Sequence, residues 1–248
     1  MILTVDIGNT TISCRLIKKQ RIIWRKAISH GEFKKKGLKG FFQKKNTIAL
    51  TLVVSVVPGL TQRVRRAIEQ SINTPVYIIG KDVAVTIPHA YKNIKTLGTD
   101  RLVALYGSLF MYRAPFLLID CGTAITFDIV DASETYQGGL IIPGIEASFN
   151  ALKKNAAQLP QDLKLSWPRS FLAKSTCAAM NAGTLYGFTS LIEGLITRFK
   201  QEYGNDLRPI ITGGSAHYII KHMKVKPTYN PDLIHQSLSI IAQFILDR

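Results

Sequence analysis

The sequence predicts an α/β protein with two similar domains, each a mixed β-sheet flanked by helices, and a cleft between them. Two segments far apart in the chain repeat one pattern: an apolar strand, an acidic residue, a glycine and a returning strand. After each segment, short apolar runs alternate with amphipathic helical patterns, which is typical of α/β domains. The chain of 248 residues is also long enough to bury the cores of two such domains.

The repeat consists of residues 3–13 (LTVDIGNTTIS) and 117–127 (LLIDCGTAITF), which align without a gap. In this alignment Asp6 corresponds to Asp120, and a glycine follows two residues after each of them. Glycine permits a tight turn, and the β-branched residues after it favour a second strand that returns along the first. Each copy therefore predicts a β-hairpin with a carboxylate at its tip.

The remaining elements are predicted from hydrophobic periodicity and from residues that favour turns or helix ends. Further strands are predicted at 21–27, 47–57, 76–79, 135–142 and 209–212. Helices are predicted at 60–72, 99–113, 145–155, 176–203, 216–224 and 231–246. Since no linker rich in Gly or Ser separates the halves, a hinge is expected near residue 115, between an N-terminal domain, 1–115, and a C-terminal domain, 116–248.

The net charge of +16 is concentrated in the first half of the chain. Residues 1–124 carry 20 Lys or Arg and 6 Asp or Glu, whereas residues 125–248 carry 12 and 10. Much of the excess lies in short basic runs, such as Lys34, Lys35 and Lys36. Such runs are one signature of nucleic-acid binding, but aromatic residues for base stacking are not interleaved with them. We therefore interpret them as a solvated basic surface that attracts anionic substrates, and a nucleic-acid partner is not expected.

Cysteine and histidine spacing argues against a disulfide framework and a thiolate or histidine metal centre. The cysteines Cys14, Cys121 and Cys177 are far apart and odd in number, which fits a reducing cytoplasm. The five histidines lack His-x-x-x-His spacing, so they are expected at the surface or at helix ends. Asp6 interrupts the N-terminal apolar run, unlike a signal peptide, and no apolar run suits a membrane span. A cytoplasmic protein without a membrane partner is expected.

A phosphate-binding site would have to be built without the standard nucleotide fingerprints. The sequence has no Gly-x-x-x-x-Gly-Lys-Ser/Thr loop, no Gly-x-Gly-x-x-Gly after the first strand and no Gly-x-Ser-x-Gly. The two hairpins offer an alternative, because turn N–H groups and Thr hydroxyls bind phosphate oxygens while carboxylates hold cations. The paired glycines in Thr212-Gly213-Gly214-Ser215 would let a nucleotide approach the backbone. One Asp-x-Gly is usually a simple turn, but the ordered set indicates a nucleotide site.

Duplicated Asp-x-Gly hairpins on an α/β scaffold resemble the superfamily of sugar kinases, heat-shock ATPases and actin, which implies two actin-like (ribonuclease H-like) domains. Within it, the sequence resembles the type III pantothenate kinases over almost its whole length. Further matching segments are Tyr91, Gly98-Thr99-Asp100-Arg101, GGLIIPG at 138–144, and Thr176 ahead of Gly183. Two positions depart from the family pattern: Thr99 replaces a usual Ala, and Ile125 stands where Thr is common.

The resemblance implies ATP-dependent phosphorylation of pantothenate to 4′-phosphopantothenate, the first step of coenzyme A biosynthesis. Asp100 would be the catalytic general base for the pantothenate hydroxyl. An Asp is a weak base toward an alcohol, but the loose transition state of phosphoryl transfer makes orientation of the nucleophile matter more than basicity. The alternative for Asp100 is a carboxylate that complements a helix dipole in the first turn.

The resemblance also implies the other site residues, the cations and a homodimer. The substrate-binding residues would be Tyr91, Gly98, Thr99, Asp100, Arg101 and Thr176. The ATP-binding residues would be Asp6, Ile7, Gly8, Asn9, Thr10, Thr11, Ile12, Ser13 and Thr123. Asp120 would hold a monovalent cation, K⁺ or NH₄⁺, and Mg²⁺ would accompany ATP.

Each of these assignments has a plainer alternative. Arg101 suits a bidentate grip on a carboxylate, but it could be an ordinary exposed helix residue. Thr176 could belong to a helix cap with Ser175, and Asp120 could pair with an amide in its own turn. At the level of function, the alternatives are another small-molecule kinase of the same superfamily and a non-catalytic regulatory relative that binds nucleic acid.

Overall fold

The computed structural model of the protein describes residues 1–38, 48–155 and 162–247. The chain forms two compact units, each with one five-stranded sheet. The first unit comprises Met1–Ile87, Lys92–Met111 and Asp232–Arg248, and the second comprises Pro88–Tyr91 and Tyr112–Pro231.

The strands and helices alternate along both units. The strands are β1 (Ile2–Ile7), β2 (Thr11–Lys18), β3 (Arg21–Ser29), β4 (Leu50–Ser55), β5 (Val76–Ile78), β6 (Phe116–Cys121), β7 (Ala124–Val130), β8 (Tyr136–Pro143), β9 (Arg208–Thr212) and β10 (Thr228–Tyr229). The α-helices are α1 (His30–Lys36), α2 (Pro58–Ser71), α3 (Thr99–Met111), α4 (Ile145–Asn155), α5 (Thr176–Tyr203) and α6 (Leu233–Leu246). Short 3-10 helices occur at Ile94–Thr96 and Ala216–Tyr218.

The first unit is a sheet of order β3-β2-β1-β4-β5 with helices on both faces. β1 pairs antiparallel with β2 and parallel with β4. Because side chains alternate along a strand, Leu3, Val5 and Ile7 pack with α1 and α2, while Ile2 packs with α3 and α6 on the other face. Each buried aliphatic side chain stabilises the fold by about 1.5–3 kcal/mol, so both faces hold the strand that carries Asp6 near its end.

The second unit repeats this plan with the sheet order β10-β9-β6-β7-β8. β6 pairs antiparallel with β7 and parallel with β9, as β1 does with β2 and β4. Its core side chains, among them Leu117, Ile119 and Cys121, pack with residues of α4 and α5. The predicted duplicated α/β fold is confirmed, and in both units the central strand carries an Asp next to its last residue.

Most predicted elements are present, and α4 and α5 have the predicted bounds. The predicted strand 47–57 is observed as Leu50–Ser55, and its first residue lies outside the described part of the chain. The predicted helix 216–224 is wrong, since only Ala216–Tyr218 is a 3-10 helix and turns follow. Ile219 N–H bonds to Ala216 O at 3.1 Å, a bond to the third residue back that tightens the chain. Helix α1 and strand β10 were not predicted.

The two units divide the chain differently from the predicted domains 1–115 and 116–248. Pro88–Tyr91 belongs to the second unit, and Asp232–Arg248, which contains α6, belongs to the first. The reason for the second difference is packing, because apolar residues of α6 share a core with β1, β4 and α3. Helices α3 and α6 approach so closely that a Cβ on Gly107 would lie 2.1 Å from Ser237 Oγ.

Helix α5 is the longest element described, with 28 residues. Its residues Leu185, Ile192 and Ile196 are buried in the core of the second unit, while residues on another face are exposed. It is therefore an amphipathic helix of that unit. Among residues 1–38, 48–155 and 162–247, no helix combines the length and apolar character that crossing a membrane requires.

Candidate active site

The first hairpin places the predicted phosphate motif at the end of β1. Asp6 lies directly across from Ser13 in the β1–β2 pair. The turn is closed by Gly8 N–H, which donates to Thr11 O at 3.0 Å. Predicted ATP-binding residues at the tip, Asn9, Thr10 and Thr11, are exposed, whereas Ile7 and Ile12 are buried in the core. Any ligand contact of these two isoleucines would therefore involve their backbone.

A histidine that sequence reasoning did not connect with the site anchors this turn. His30 is the first residue of α1, and its backbone N–H donates to Thr10 O at 3.3 Å. Its ring Nε2 lies 2.9 Å from Gly8 O. The helix is itself fixed by a capping box between Ser29 and Glu32. The sequence Ser-His-Gly-Glu indicates the start of a helix by its capping box. That this helix start contacts the β1–β2 turn depends on the path of β3, which the local sequence does not show.

The second hairpin matches the first, with one residue fewer in its turn. Gly122 N–H donates to Ala124 O at 3.0 Å, and Asp120 lies across from Thr126. The ungapped alignment therefore holds only as far as the glycines. Beyond the turn, Ile12 corresponds to Ile125, which pairs with Cys121 as Ile12 pairs with Ile7. Ile125 is fully buried in the core, which accounts for an apolar residue at that position.

The Asp120 carboxylate lies against the glycine motif that follows β9. A Cβ on Gly213 would stand 2.4 Å from Asp120 Oδ1 and 2.5 Å from the backbone of Cys121. Gly213 also has a φ of +91°, a conformation that side-chain-bearing residues rarely adopt. Ser215 N–H completes the contact by donating to Cys121 O at 2.9 Å. The paired glycines that were predicted to let a nucleotide approach and the second hairpin thus form one packed substructure.

The segment 138–144 joins two other predicted features of the second unit. At its start, a Cβ on Gly138 would lie 4.0 Å from the Tyr91 ring. At its end, Gly144 N–H donates to Thr123 O at 3.0 Å. A Cβ on Gly144 would lie 2.4 Å from the same oxygen, so no larger residue fits against this turn. One end of the segment therefore lies beside the Tyr91 ring, and the other end is bonded to the backbone of the exposed Thr123.

Tyr91 is held by a buried tyrosine that sequence reasoning did not identify. Ala90 N–H donates to Tyr136 O at 2.9 Å, which attaches the segment to β8. The rings of Tyr91 and Tyr136 are stacked, with centroids 5.5 Å apart and an interplanar angle of 29°. Tyr136 is fully buried, and its hydroxyl donates to Asp128 Oδ1 at 2.9 Å. This support makes Tyr91 a fixed aromatic surface beside Gly138.

Asp100 occupies the first turn of α3, as the dipole alternative required. Its Oδ1 accepts a hydrogen bond from Arg101 N–H at 2.8 Å, and the carboxylate is half-buried. A Cβ on Gly98 would lie 2.6 Å from this oxygen. Thr99 instead lies near Gly80, whose Cβ position is 3.8 Å from Thr99 Cγ2. The structure thus brings Gly98 and Asp100 into contact and directs Thr99 toward a neighbouring turn.

Thr176 is the first residue of α5 and is exposed. Its predecessor Ser175 is the N-cap and accepts a hydrogen bond from Ala178 N–H at 3.4 Å. A helix cap was the alternative to substrate binding for Ser175 and Thr176, and Ser175 is the residue that caps the helix. Substrate binding by Thr176 stays a prediction.

A buried polar cluster behind the first hairpin contains His235, which lies in the first turn of α6, one of the two places expected for the histidines, but is not at the surface. His235 of α6 is 1% exposed, and its Nε2 lies 2.6 Å from Ser13 Oγ. Burial and the nearby Arg15 charge lower the pKa of His235 to about 3, so the ring is neutral at physiological pH. Its position could not be read from the sequence, because α6 joins the sheet from the far end of the chain.

Carboxylates, hydroxyls and turn amides are the polar groups that each of the two hairpins presents. Within the described ranges, no group of three or more His, Cys, Asp or Glu side chains is placed to hold a metal ion. Turn amides and hydroxyls of this kind suit phosphate oxygens. Single carboxylates suit cations that arrive with a ligand and keep part of their hydration.

Comparison with known proteins agrees with this chemistry. The sequence model of the family described as type III pantothenate kinase matches residues 2–198. A protein named type III pantothenate kinase from Sulfurihydrogenibium sp. is 32% identical over 257 residues and covers 100% of both chains. One with the same name from Persephonella marina is 34% identical over 240 residues, 91% of each chain.

Solved structures are similar in fold. A putative Baf family transcriptional activator from Campylobacter jejuni superposes with a TM-score of 0.61 at 19% identity, covering 99% of this chain and 100% of that one. MreB5 of Spiroplasma citri bound to AMPPNP gives a TM-score of 0.54 at 10% identity, covering 99% and 97%. The actin-like fold expected from the hairpins is thus confirmed. Since the family model matches well over half of the chain and full-length relatives exceed 30% identity, the chain belongs to the type III pantothenate kinase family.

Proposed function

We propose that this protein transfers the γ-phosphate of ATP to the hydroxyl of pantothenate, giving ADP and 4′-phosphopantothenate, the first step of coenzyme A biosynthesis, in the cytoplasm. The observation that carries the proposal is the full-length similarity to relatives named type III pantothenate kinase. The paired Asp-tipped hairpins supply the chemistry that such a reaction needs. Phosphoryl transfer depends mainly on positioning and charge stabilisation, which fixed turns and carboxylates provide.

We assign ATP binding to Asp6, Ile7, Gly8, Asn9, Thr10, Thr11, Ile12, Ser13 and Thr123. Exposed hydroxyls and turn amides at both hairpins would donate hydrogen bonds to phosphate oxygens. When bound, Mg²⁺ would neutralise phosphate charge, and Asp6 would hold it directly or through its water. Asp6 suits this role because it is a half-buried carboxylate. Among the described residues it is not part of a group of three or more side chains that could hold a metal ion without ATP.

We assign pantothenate binding to Tyr91, Gly98, Thr99, Asp100, Arg101 and Thr176. Asp100 would orient the attacking hydroxyl and accept its proton, with Gly98 leaving room for the carboxylate. Arg101 is half-buried beside it and would bind the substrate carboxylate through its guanidinium fork. Tyr91 would contribute the aromatic surface that Tyr136 supports.

Asp120 is the residue proposed to hold the monovalent cation, K⁺ or NH₄⁺. It is a half-buried carboxylate next to the last residue of β6, and a Cβ on Gly122 would lie 3.7 Å from its Oδ1 and 3.5 Å from the carbonyl oxygen of Ala124. A single carboxylate with carbonyl oxygens carries too little charge to retain a divalent ion by itself, so this donor set fits a monovalent cation better.

The decisive experiment is a coupled assay of ADP release with pantothenate as acceptor, run first in sodium and then in potassium or ammonium buffer. We expect turnover that requires pantothenate and that rises strongly when K⁺ or NH₄⁺ replaces Na⁺. A panel of sugars, acetate and glycerol serves as the control for other kinases of the superfamily. Turnover with one of these and none with pantothenate would refute the substrate assignment, and equal rates in sodium would refute the cation site.

We also propose a homodimer formed through an exposed face of α5. Gly183, Gly187 and Gly194 lie at helical spacing with Ser190 between them, and a Cβ on any of the glycines would meet nothing within 4 Å. Each Gly costs a helix interior roughly 1 kcal/mol relative to Ala, so a close approach from outside the chain would account for them. Large apolar residues are exposed near the start of the helix: Phe171 at 68% and Leu172 at 79%.

Light scattering after size-exclusion chromatography tests this proposal. We expect twice the mass of the chain for the wild type and a monomer for Gly187→Glu, because the carboxylate would be buried at the contact. The matched control is Gly59→Glu, a charge added at an exposed helical glycine of the first unit that also has open space around it. A monomeric wild type, or a dimeric Gly187→Glu variant, would contradict the assigned surface.

A further inference from the structure

Helix α6 is attached to the first hairpin by two polar contacts that the proposed mechanism does not use. In the first, Asp232 accepts hydrogen bonds from Arg15 Nε and Arg25 Nη2, each at 2.8 Å. Burial alone would raise the pKa of Asp232, but the two arginines bring it below its ordinary value. The carboxylate is therefore charged at neutral pH and fixes the beginning of α6 against β2 and β3.

The second contact is made by His235, which lies between two hydroxyls of the sheet. Its Nδ1 is 2.9 Å from Thr4 Oγ1, and its Nε2 is 2.6 Å from Ser13 Oγ. Thr4 is 0% and His235 1% exposed, so the contact between them is shielded from water, whereas Ser13 is half-buried. A neutral imidazole has one N–H and one acceptor nitrogen, and both are used here.

One of the two neutral tautomers of His235 gives every hydroxyl proton of this cluster an acceptor. In that tautomer the Thr4 hydroxyl donates to Arg15 O at 3.4 Å and accepts from Nδ1–H of His235 at 2.9 Å. The imidazole Nε2 is then the unprotonated nitrogen and accepts the Ser13 hydroxyl proton. Because Ser13 has only this proton, its remaining lone pairs can only accept hydrogen bonds.

Ser13 is the cross-strand neighbour of the predicted phosphate-site carboxylate. Asp6 and Ser13 are paired in the β1–β2 register, and paired side chains project from the same face with Cβ atoms roughly 5 Å apart. A Ser13 hydroxyl that turned toward Asp6 would donate its proton to the carboxylate. That hydrogen bond would occupy a carboxylate lone pair that could otherwise face a cation and would turn the carboxylate toward Ser13.

We infer that His235 is a positioning residue for ATP binding: it holds the Ser13 hydroxyl beside Asp6 and so keeps the oxygens of that carboxylate oriented and available to the cation that accompanies ATP. The inference rests on the proposed role of the first hairpin in ATP binding. It assigns to α6, an element from the end of the chain, control over a site at its beginning. The competing explanation is that His235 only stabilises the packing of α6.

The test uses two substitutions, each of which keeps a polar group near the position of one imidazole nitrogen. His235→Gln retains an acceptor oxygen that can reach the Ser13 hydroxyl, whereas His235→Asn retains only a group near the Nδ1 position, on the side of Thr4. We expect the Kd for Mg²⁺ and a non-hydrolysable ATP analogue, measured by calorimetry, to rise about tenfold in His235→Asn, as for other supporting residues of ligand sites. The Gln variant should bind close to the wild type, and the KM for pantothenate should not change in either.

Ser13→Ala provides the second measurement and does not depend on the folding of the histidine variants. It should weaken ATP-analogue binding as His235→Asn does, and the double variant should lose no more than either single one, because both act through one hydrogen bond. The stability control is Ile241→Ala in the same helix, at a 4% exposed core position. It should lower the melting temperature at least as much and leave ATP-analogue binding intact.

Several outcomes would overturn the inference. These are unchanged binding in Ser13→Ala or His235→Asn, additive losses in the double variant, or an equal loss of binding in Ile241→Ala. Failure of the proposed function would look different, because the wild type would then bind the ATP analogue without phosphorylating pantothenate, or would not bind it at all.

Discussion

Replacing Asp100 by Asn is expected to reduce pantothenate-dependent turnover by roughly 10²- to 10⁴-fold, the usual contribution of a positioned general base. The amide has the shape of the carboxylate and can still accept the hydrogen bond from Arg101 N–H, which is 2.8 Å long in the wild type. It cannot take the hydroxyl proton. The kcat should therefore fall while the melting temperature and the Kd for an ATP analogue stay near their wild-type values.

A second variant tests the same carboxylate without changing it. In Gly98→Ala the new methyl group would lie 2.6 Å from Asp100 Oδ1, so the carboxylate has to turn away. We expect a loss of kcat in this variant with little change in ATP affinity. The matched control is Gly59→Ala, where a Cβ meets nothing within 4 Å. Full turnover by Asp100→Asn would reject Asp100 as the base and leave it as a carboxylate that complements the dipole of α3.

The sequence was sufficient to predict the parts of the site that depend on local patterns. Both hairpins, with Asp6 and Asp120 near the ends of their strands, follow from apolar runs, a turn glycine and β-branched residues within about ten positions. Helix α5 was predicted with its observed bounds because its cap Ser175 and its buried face are both local signals. Family resemblance added the roles of these residues, which no local pattern specifies.

The features that were missed depend on contacts between distant segments. The first turn has one residue more than the second, and an ungapped alignment cannot show this because register is set by burial of Ile12 and Ile125. Residues 216–224 have the apolar spacing of a helix, but the same residues are buried without forming one beyond the first turn. The place of His235 in the first unit follows only from the packing of α6.

The contact of Gly213 with Asp120 also joins distant segments of the chain. It is the basis of the second prediction with a large expected effect. Gly213→Ala should destabilise the protein by about 2–5 kcal/mol, the sum of a positive φ in a residue with a Cβ and of overpacking against backbone atoms. The methyl group would lie 2.5 Å from the Cys121 backbone, which cannot move without disturbing β6. For a chain of this size, the melting temperature should fall on the order of 10 °C.

The neighbouring glycine separates this effect from a general sensitivity of the loop. At Gly214 a Cβ would meet nothing within 4 Å, so Gly214→Ala should change stability by less than about 1 kcal/mol. Where Gly213→Ala remains folded at low temperature, Asp120 Oδ1 is pushed from its position, so activation by potassium should be lost more completely than ATP binding. Two alanine variants of equal stability and equal response to potassium would show that Gly213 does not hold Asp120 in place. The cation assignment would then lose the support of Gly213, whose φ of +91° and missing Cβ allow Asp120 Oδ1 to keep its present position.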